Sequence, residues 1–377
     1  MLINLDEARY LISRTIDLCP ETDPLRRAAL LKEQHGSYGR AVAELLDARS
    51  KGKLPAEWFM DSDSAQQATP LEVARIRFER IRRILGDPLV HDVTCSIGTE
   101  GAACLAEGLR YVGSDLSLPR LVMARANVNA PFFQADALAP CTTADVIVAD
   151  PARRAGGRRI KDPEQLLPPL SSLLGAYEQH LAVKCAPGLD FSDWGGLVSL
   201  VSVDGGVKEA CLYTAGLAEG ARREAVVIRG GGVDKLSDLM PSEDEMAAPH
   251  GKYLIDPDGA VVRAGLVRQF AVREGLWMLD ERIAYLTGDR IPEGYSGFPI
   301  LEQVPLKKLK SALAAHDPGS LEILVRGVDV DPDALRKKLR PRGSRPMAVV
   351  VTRIGTQGVA LICEARRVGS SKNVLEE

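Results

Sequence analysis

HDVTCSIGTEGAACLAEGLRYVGSDL, residues 91–116, reads as strand, small-residue turn, helix, strand and acid. The apolar run from Leu89 to Val93 leads into Thr94-Cys95-Ser96-Ile97-Gly98-Thr99-Glu100-Gly101. A helix is predicted over 102–108 and a second short strand over 111–114, ending in Asp115. Gly98 and Gly101 lack a Cβ and so let a backbone approach a ligand closely. Asp115, at the carboxyl end of the second strand, is placed to accept hydrogen bonds from a ribose diol. A plain αβ turn in another α/β domain would share the glycine spacing.

The chain beyond Asp115 repeats the pattern. A helix over 119–129 leads to a third strand, Phe132 to Ala135, that ends in Asp136. A fourth, Ala144 to Ala149, is apolar and ends in Asp150-Pro151. Ligands of an open parallel sheet bind at these carboxyl ends. Carboxylates there repel a pyrophosphate. They suit S-adenosylmethionine, a cation with a ribose, an exocyclic amine and no phosphate, better than a dinucleotide.

The series DVTCSIG, SDLS, QADAL and DVIVADPARR resembles the motif series of class I methyltransferases. It most resembles the bacterial methyltransferases related to trimethylguanosine synthase that carry a THUMP-like C-terminal domain. The resemblance runs from about Trp58 onward, with Ser96 where the family's first motif usually has glycine. It implies an α/β fold with a seven-stranded Rossmann-like methyltransferase sheet. The expected domains are an N-terminal helical region (1–57), a methyltransferase domain (58–290) and a THUMP-like α+β domain (298–368). The implied cofactor is S-adenosyl-L-methionine, held by Gln67, Thr69, Asp92, Thr94, Cys95, Gly98, Asp115, Leu116, Asp136 and Ala137, with Ala68 beside them. An acid at 136 would accept from the adenine amine; a solvated strand end is the alternative.

Amine methyltransferases carry Asp/Asn-Pro-Pro-aromatic after the fourth strand. There the side chain and a backbone carbonyl accept hydrogen bonds from the target amine, aiming its lone pair at the methyl group. In a direct displacement such alignment supplies most of the catalysis. By this resemblance Asp150 and Pro151 are the catalytic pair, while Ala152 and Arg153 replace the second proline and the aromatic. A guanidinium can stack on a base or bind phosphate. Arg153, Arg154, Arg158 and Arg159, clustered around Gly156 and Gly157 with Lys161 beside them, favour an anionic substrate. A solvated basic loop is the alternative. Lys184, on the expected fifth strand (181–185), joins this substrate set. Its neighbour Cys185 raises the cysteine-nucleophile chemistry of cytosine-C5 methyltransferases, but no partner motif accompanies it and an inert buried thiol is favoured.

Upstream, helical spacing over 5–49 predicts a small helical bundle. Thr69 is expected as the N-cap and Pro70 as the first residue of a helix over 71–85, with Val73, Ile76, Ile81 and Ile84 inward. Downstream, strands over 197–203, 209–213 and 224–229 fit the end of the sheet, and 230–246 reads as a surface loop. A single helix is expected over 261–274. From about Phe298 the order is βαβαββ. Residues 300–377 hold 14 Lys and Arg against 9 Asp and Glu, a net of +5, while the whole chain is −3. That contrast and the resemblance point to RNA, rRNA or tRNA, as partner; a solvated face is the alternative. Gly369 to Glu377 reads as an unstructured tail.

The composition, 45% hydrophobic and 26% charged, is that of a globular chain with room for two or three domains. The seven cysteines are scattered singly, which indicates neither a zinc site nor a disulfide framework. Their odd number fits a reducing cytoplasm, the expected location. No apolar run is long enough for a bilayer, and the N-terminus lacks a signal-peptide core. The sequence therefore reads as a methyltransferase acting on RNA, on a base nitrogen, without metal or membrane. The alternatives are a protein or small-molecule methyltransferase, or a non-catalytic RNA-binding protein with a vestigial cofactor site.

Overall fold

A computed structural model describes residues 3–152, 154–155, 158–159 and 162–370, the two short pairs by their backbone. Contacts divide the chain into two compact units, Met1–Val201 with Lys208–Arg222, and Ser202–Val207 with Arg223–Glu377.

The first unit opens with helices α1 (Leu5–Ile12), α2 (Pro24–His35) and α3 (Gly39–Ser50). Asn4 and Glu7 form a capping box on α1. Then come α4 (Ser62–Gln67) and α5 (Leu71–Leu85), followed by β1 (Leu89–Asp92), α6 (Thr99–Ala106), β2 (Arg110–Asp115), α7 (Leu118–Asn127), β3 (Phe132–Gln134) and β4 (Val146–Ala149). A two-residue ribbon, β5 (Arg154–Ala155) and β6 (Arg158–Arg159), precedes α8 (Leu170–Ala176), β7 (His180–Cys185), β8 (Leu197–Val203) and β9 (Gly206–Tyr213).

The sheet order through this unit is β8-β9-β7-β4-β1-β2-β3. β1 lies parallel to β2 and β4, β2 to β3, and β4 to β7, while β9 runs antiparallel to β7. β4 and the inner part of β7 are buried throughout, as expected of parallel strands covered on both faces. The parallel register brings Asp92, Asp115 and Asp150 to one edge of the sheet. Among the described residues the larger sheet counts nine strands rather than the expected seven.

Two glycines are fixed by packing. A Cβ on Gly113 of β2 would stand 2.7 Å from the Phe132 ring and 3.0 Å from Cys95 Cβ. One on Gly101 of α6 would stand 2.7 Å from the Tyr111 ring, so this glycine admits a tyrosine rather than a ligand.

The second unit contains β10 (Arg223–Arg229) and β11 (Gly232–Ser237), an antiparallel hairpin turned by Gly230 and Gly231 with φ of +52° and +81°. The loop expected over 230–246 is thus partly a strand. It is polar because mainly Leu236 is buried along it. Then follow β12 (Tyr253–Ile255), α9 (Gly259–Ala264), α10 (Val267–Glu274), β13 (Trp277–Asp280) and β14 (Ile283–Gly288). The single helix expected over 261–274 is broken at Gly265, which caps α9 at φ +74°. The unit ends with β15 (Ser296–Pro305), α11 (Leu309–Ala314), β16 (Pro318–Val325), α12 (Pro332–Leu339), β17 (Arg345–Ile354), β18 (Gln357–Glu364) and β19 (Arg367–Val368). From β15 to β18 this is the βαβαββ order read from the sequence. Met347, Val349 and Val351 of β17 pack with Leu309 and Leu313 of α11 and Leu339 of α12. Ala348 and Val350 face the opposite core with Leu254, Tyr285 and Phe298. Both helices therefore cover one face of this sheet. At the expected tail, the Gly369 N–H donates to the Tyr295 carbonyl (2.9 Å), and residues 371–377 lie outside the described residues.

Gly113→Ala tests the packing at the centre of the first unit. It should destabilise by about 1–3 kcal/mol, the usual cost of overpacking a rigid core. Thermal unfolding that leaves the midpoint unchanged would show that Phe132 yields freely.

Candidate active site

The β1–α6 turn is built by backbone demands. Ser96 and Gly98 both have positive φ, +49° and +91°. The Ser96 N–H donates to Asp115 Oδ2 at 2.9 Å, and the Ser117 N–H donates to Asp115 Oδ1 at 2.8 Å. Asp115 is half-buried, and Leu116 beside it is 65% exposed. From behind, Asn127 Nδ2 donates to the Ile97 carbonyl (3.1 Å) and the Phe59 carbonyl (2.9 Å), while the Phe59 N–H donates to Asn127 Oδ1 (2.7 Å). Asn127 thus ties the turn to the segment before α4.

Asp92 lies beneath the turn, buried. Its carboxylate accepts from the Thr94 N–H (3.1 Å) and the Tyr111 hydroxyl (3.2 Å). Burial, reinforced by the charge of Glu100, pushes its pKa from 3.8 to about 7. Neighbouring His91 is equally enclosed, with its ring nitrogens on the Ser114 and Thr142 hydroxyls, and burial lowers its pKa to about 4.

The carboxyl end of β4 is held by two contacts. The Asp150 N–H donates to Thr94 Oγ1 at 2.6 Å, joining β4 to the turn after β1. Asp150 Oδ2 lies 2.8 Å from Lys184 Nζ of β7. Lys184 also lies 3.0 Å from Glu100 of α6. Glu100 meets the Arg77 guanidinium of α5 at 3.1 Å, and Arg77 meets Glu209 of β9 at 2.8 Å. The Thr69 hydroxyl ends the series, 3.5 Å from Glu209. Four of the five charged side chains are at most 6% exposed; Asp150, at 23%, is the exception. Burial alone would lower the Lys184 pKa, but Asp150 and Glu100 outweigh it and raise it, so Lys184 is an ammonium. Burial alone would likewise raise the Glu100 pKa, and Arg77 and Lys184 hold it low.

Two relatives from Mycobacterium tuberculosis, strains CDC 1551 and H37Rv, both described as uncharacterized S-adenosylmethionine-dependent methyltransferases, are 46% identical, over 86% of this chain and 96% of theirs. The chain belongs to the S-adenosylmethionine-dependent methyltransferases. Residues 295–365 match the family described as THUMP domain-like. The crystal structure of a putative methyltransferase from Porphyromonas gingivalis W83 has the same fold, with a TM-score of 0.68, 18% identity, and coverage of 97% of this chain and 99% of that one.

The cofactor of this methyltransferase is S-adenosylmethionine. The β1–α6 turn fits it: an oriented carboxylate at Asp115, the exposed apolar Leu116 beside it and a second, exposed acid at Asp136 suit a cationic nucleoside better than a pyrophosphate. Asp136 Oδ1 accepts from the Leu138 N–H (2.9 Å), and the buried Ala137 gives its carbonyl to the Tyr177 hydroxyl (2.8 Å). Gln67 is exposed, while Asp92, Cys95 and Thr69 are buried. No described helix is long and apolar enough to cross a membrane.

Three expectations change. Thr69 does not cap α5; Pro70 occupies that position with no side-chain bond, and the Thr69 hydroxyl turns inward to Glu209. Lys184, expected in the exposed substrate set, has its ammonium buried between Asp150 and Glu100. Gly101 serves packing. Arg153 lies outside the described residues, and for Arg154, Arg158 and Arg159 the backbone alone places them in the β5–β6 ribbon. Cys185 is buried. Sequence reading missed Arg77, Glu100 and Glu209. The one signal was an arginine at position 77, inside the apolar stripe of Val73, Ile76 and Ile81.

Asp92 gives the fold a pH dependence of definite sign. Its folded pKa of about 7 exceeds the ordinary 3.8, so between these values the native state binds the extra proton. Its contribution is complete below about pH 4 and is lost as pH rises through 7, at up to about 1.4 kcal/mol per pH unit. Asp92→Asn removes that slope. Denaturant unfolding at pH 5 and pH 8 should show the variant gaining on wild type at the higher pH, and a constant difference between them would refute the assignment.

Proposed function

We propose that this methyltransferase acts on RNA and methylates an exocyclic amine of a base. The observation that carries the reading is Asp150, a partly exposed carboxylate at the carboxyl end of β4, backed by the ammonium of Lys184. S-adenosylmethionine supplies an electrophilic methyl group on a sulfonium. Asp115 would accept from the ribose, with Leu116, Asp136 and Ala137 around the adenine. Thr94, Cys95, Gly98 and Asp92 would keep the turn in shape, and Gln67 to Thr69 would close the site.

A nucleobase amine is a poor nucleophile because its lone pair is delocalised into the ring. A carboxylate accepting its N–H favours rehybridisation and fixes the line of attack, chiefly in the transition state. Asp150, with the Pro151 backbone, would play that part. The cations Arg153, Arg154, Arg158 and Arg159 would hold base or phosphate. RNA is favoured over a protein or small-molecule acceptor by the THUMP-like unit. Lys307, Lys308 and Lys310 near α11 and Arg336, Lys337, Lys338 and Arg340 near α12 are all exposed, on helices that cover the same face of the sheet.

Incubation with tritiated S-adenosylmethionine and total RNA from cells lacking the gene should label RNA in an N-methylated nucleoside that those cells lack. Label confined to protein would overturn the substrate class. Asp150→Ala should bind S-adenosylhomocysteine normally and transfer about 100-fold more slowly, and Asp150→Asn should lose less. If Asp150 only ends a strand, the rate per folded molecule will not change.

Charge reversal of Lys337, Lys338 and Arg340 to Glu in the full chain should weaken RNA binding and flatten its dependence on salt. Gel-shift titrations over a range of salt concentrations that match wild type would remove this face from the interface.

A further inference from the structure

We infer that Lys184 is a positioning residue for methyl transfer: its ammonium fixes the Asp150 carboxylate in the attitude that receives the acceptor amine, and Glu100 fixes Lys184 in turn. This rests on the reading of Asp150 given above. Lys184 Nζ lies 2.8 Å from Asp150 and 3.0 Å from Glu100, at 5% exposure, so the lysine is enclosed while its carboxylate partner reaches the surface.

The charged groups around this pair come from every neighbouring element. Asp92 comes from β1, Glu100 from α6, Arg77 from α5 and Glu209 from β9. Their signs alternate outward from Glu209 through Arg77, Glu100 and Lys184 to Asp150. Lys184 is therefore held as an ammonium. It cannot serve as the base that takes the acceptor's proton, and its chemical contribution passes through Asp150. Stability alone does not demand such a pair, since a buried ion pair is commonly matched or exceeded by apolar side chains of similar volume. What an apolar side chain cannot supply is a fixed donor to one oxygen of Asp150, which sets the rotation of the carboxylate. Misplacement of a reacting group by about 1 Å costs about 100-fold in rate.

The experiment compares full-length wild type, Lys184→Met, Lys184→Arg and the double variant Lys184→Met/Glu100→Gln. The double variant removes one positive and one negative charge together, which guards against a single variant that fails to fold. Cofactor-competent sites are first counted by calorimetry with S-adenosylhomocysteine. Single-turnover transfer of a tritiated methyl group is then measured per competent site, on whichever cellular fraction, RNA or protein, the wild type labels. The expected result is near-normal S-adenosylhomocysteine affinity, a fall of about 100-fold in transfer by Lys184→Met and by the double variant, and recovery of most of the rate by Lys184→Arg. Full transfer per competent site in both methionine variants overturns the inference, as does Lys184→Arg being as slow as Lys184→Met. Wild-type label in protein alone would overturn the RNA reading while leaving this comparison to be made on protein. Wild-type label in no fraction overturns both.

Discussion

Glu100 stands between two cations, Arg77 at 3.1 Å and Lys184 at 3.0 Å, and the arrangement of the first unit depends on that junction. Through it α5, α6, β7, β9 and the end of β4 share one set of charges. Each charge taken from water carries a desolvation cost of several kcal/mol. Alternation of sign offsets this, because every inner member has an opposite charge on each side. The carboxylate of Asp150 is the point at which the series meets solvent.

The β1–α6 side of the same edge is organised differently. Here backbone N–H groups orient Asp115, and Asp92 props the turn from below through Thr94 and Tyr111. The two halves of the edge meet at Thr94, whose hydroxyl accepts the Asp150 N–H. A side chain of the β1–α6 turn thereby also sets the position of the catalytic candidate.

How much of this was legible in the sequence followed the range of each interaction. Strands ending in Asp115, Asp136 and Asp150 could be read because alternation of apolar run and acid is local. The βαβαββ order after Phe298 was readable for the same reason. β11 was hidden because a strand that buries little beyond Leu236 looks like a loop. Thr69 looked like a cap because caps are local, but a partner 140 residues away claimed its hydroxyl. Arg77, Glu100 and Glu209 each resemble a surface charge on its own. The strand order that makes them neighbours is a property of the whole sheet, so no window of sequence contains the signal. Lys184 was drawn to the substrate by its neighbours in sequence and to Asp150 by its neighbours in space.

The alternating charges also constrain how this chain can drift. Loss of Arg77 leaves Glu209 in the interior without its paired cation, at roughly 3–5 kcal/mol, a large share of the stability of an ordinary domain. Loss of Arg77 and Glu209 together leaves no such remainder, because Glu100 keeps Lys184 at 3.0 Å. Removing Arg77 alone is accordingly costlier than removing Arg77 and Glu209 together.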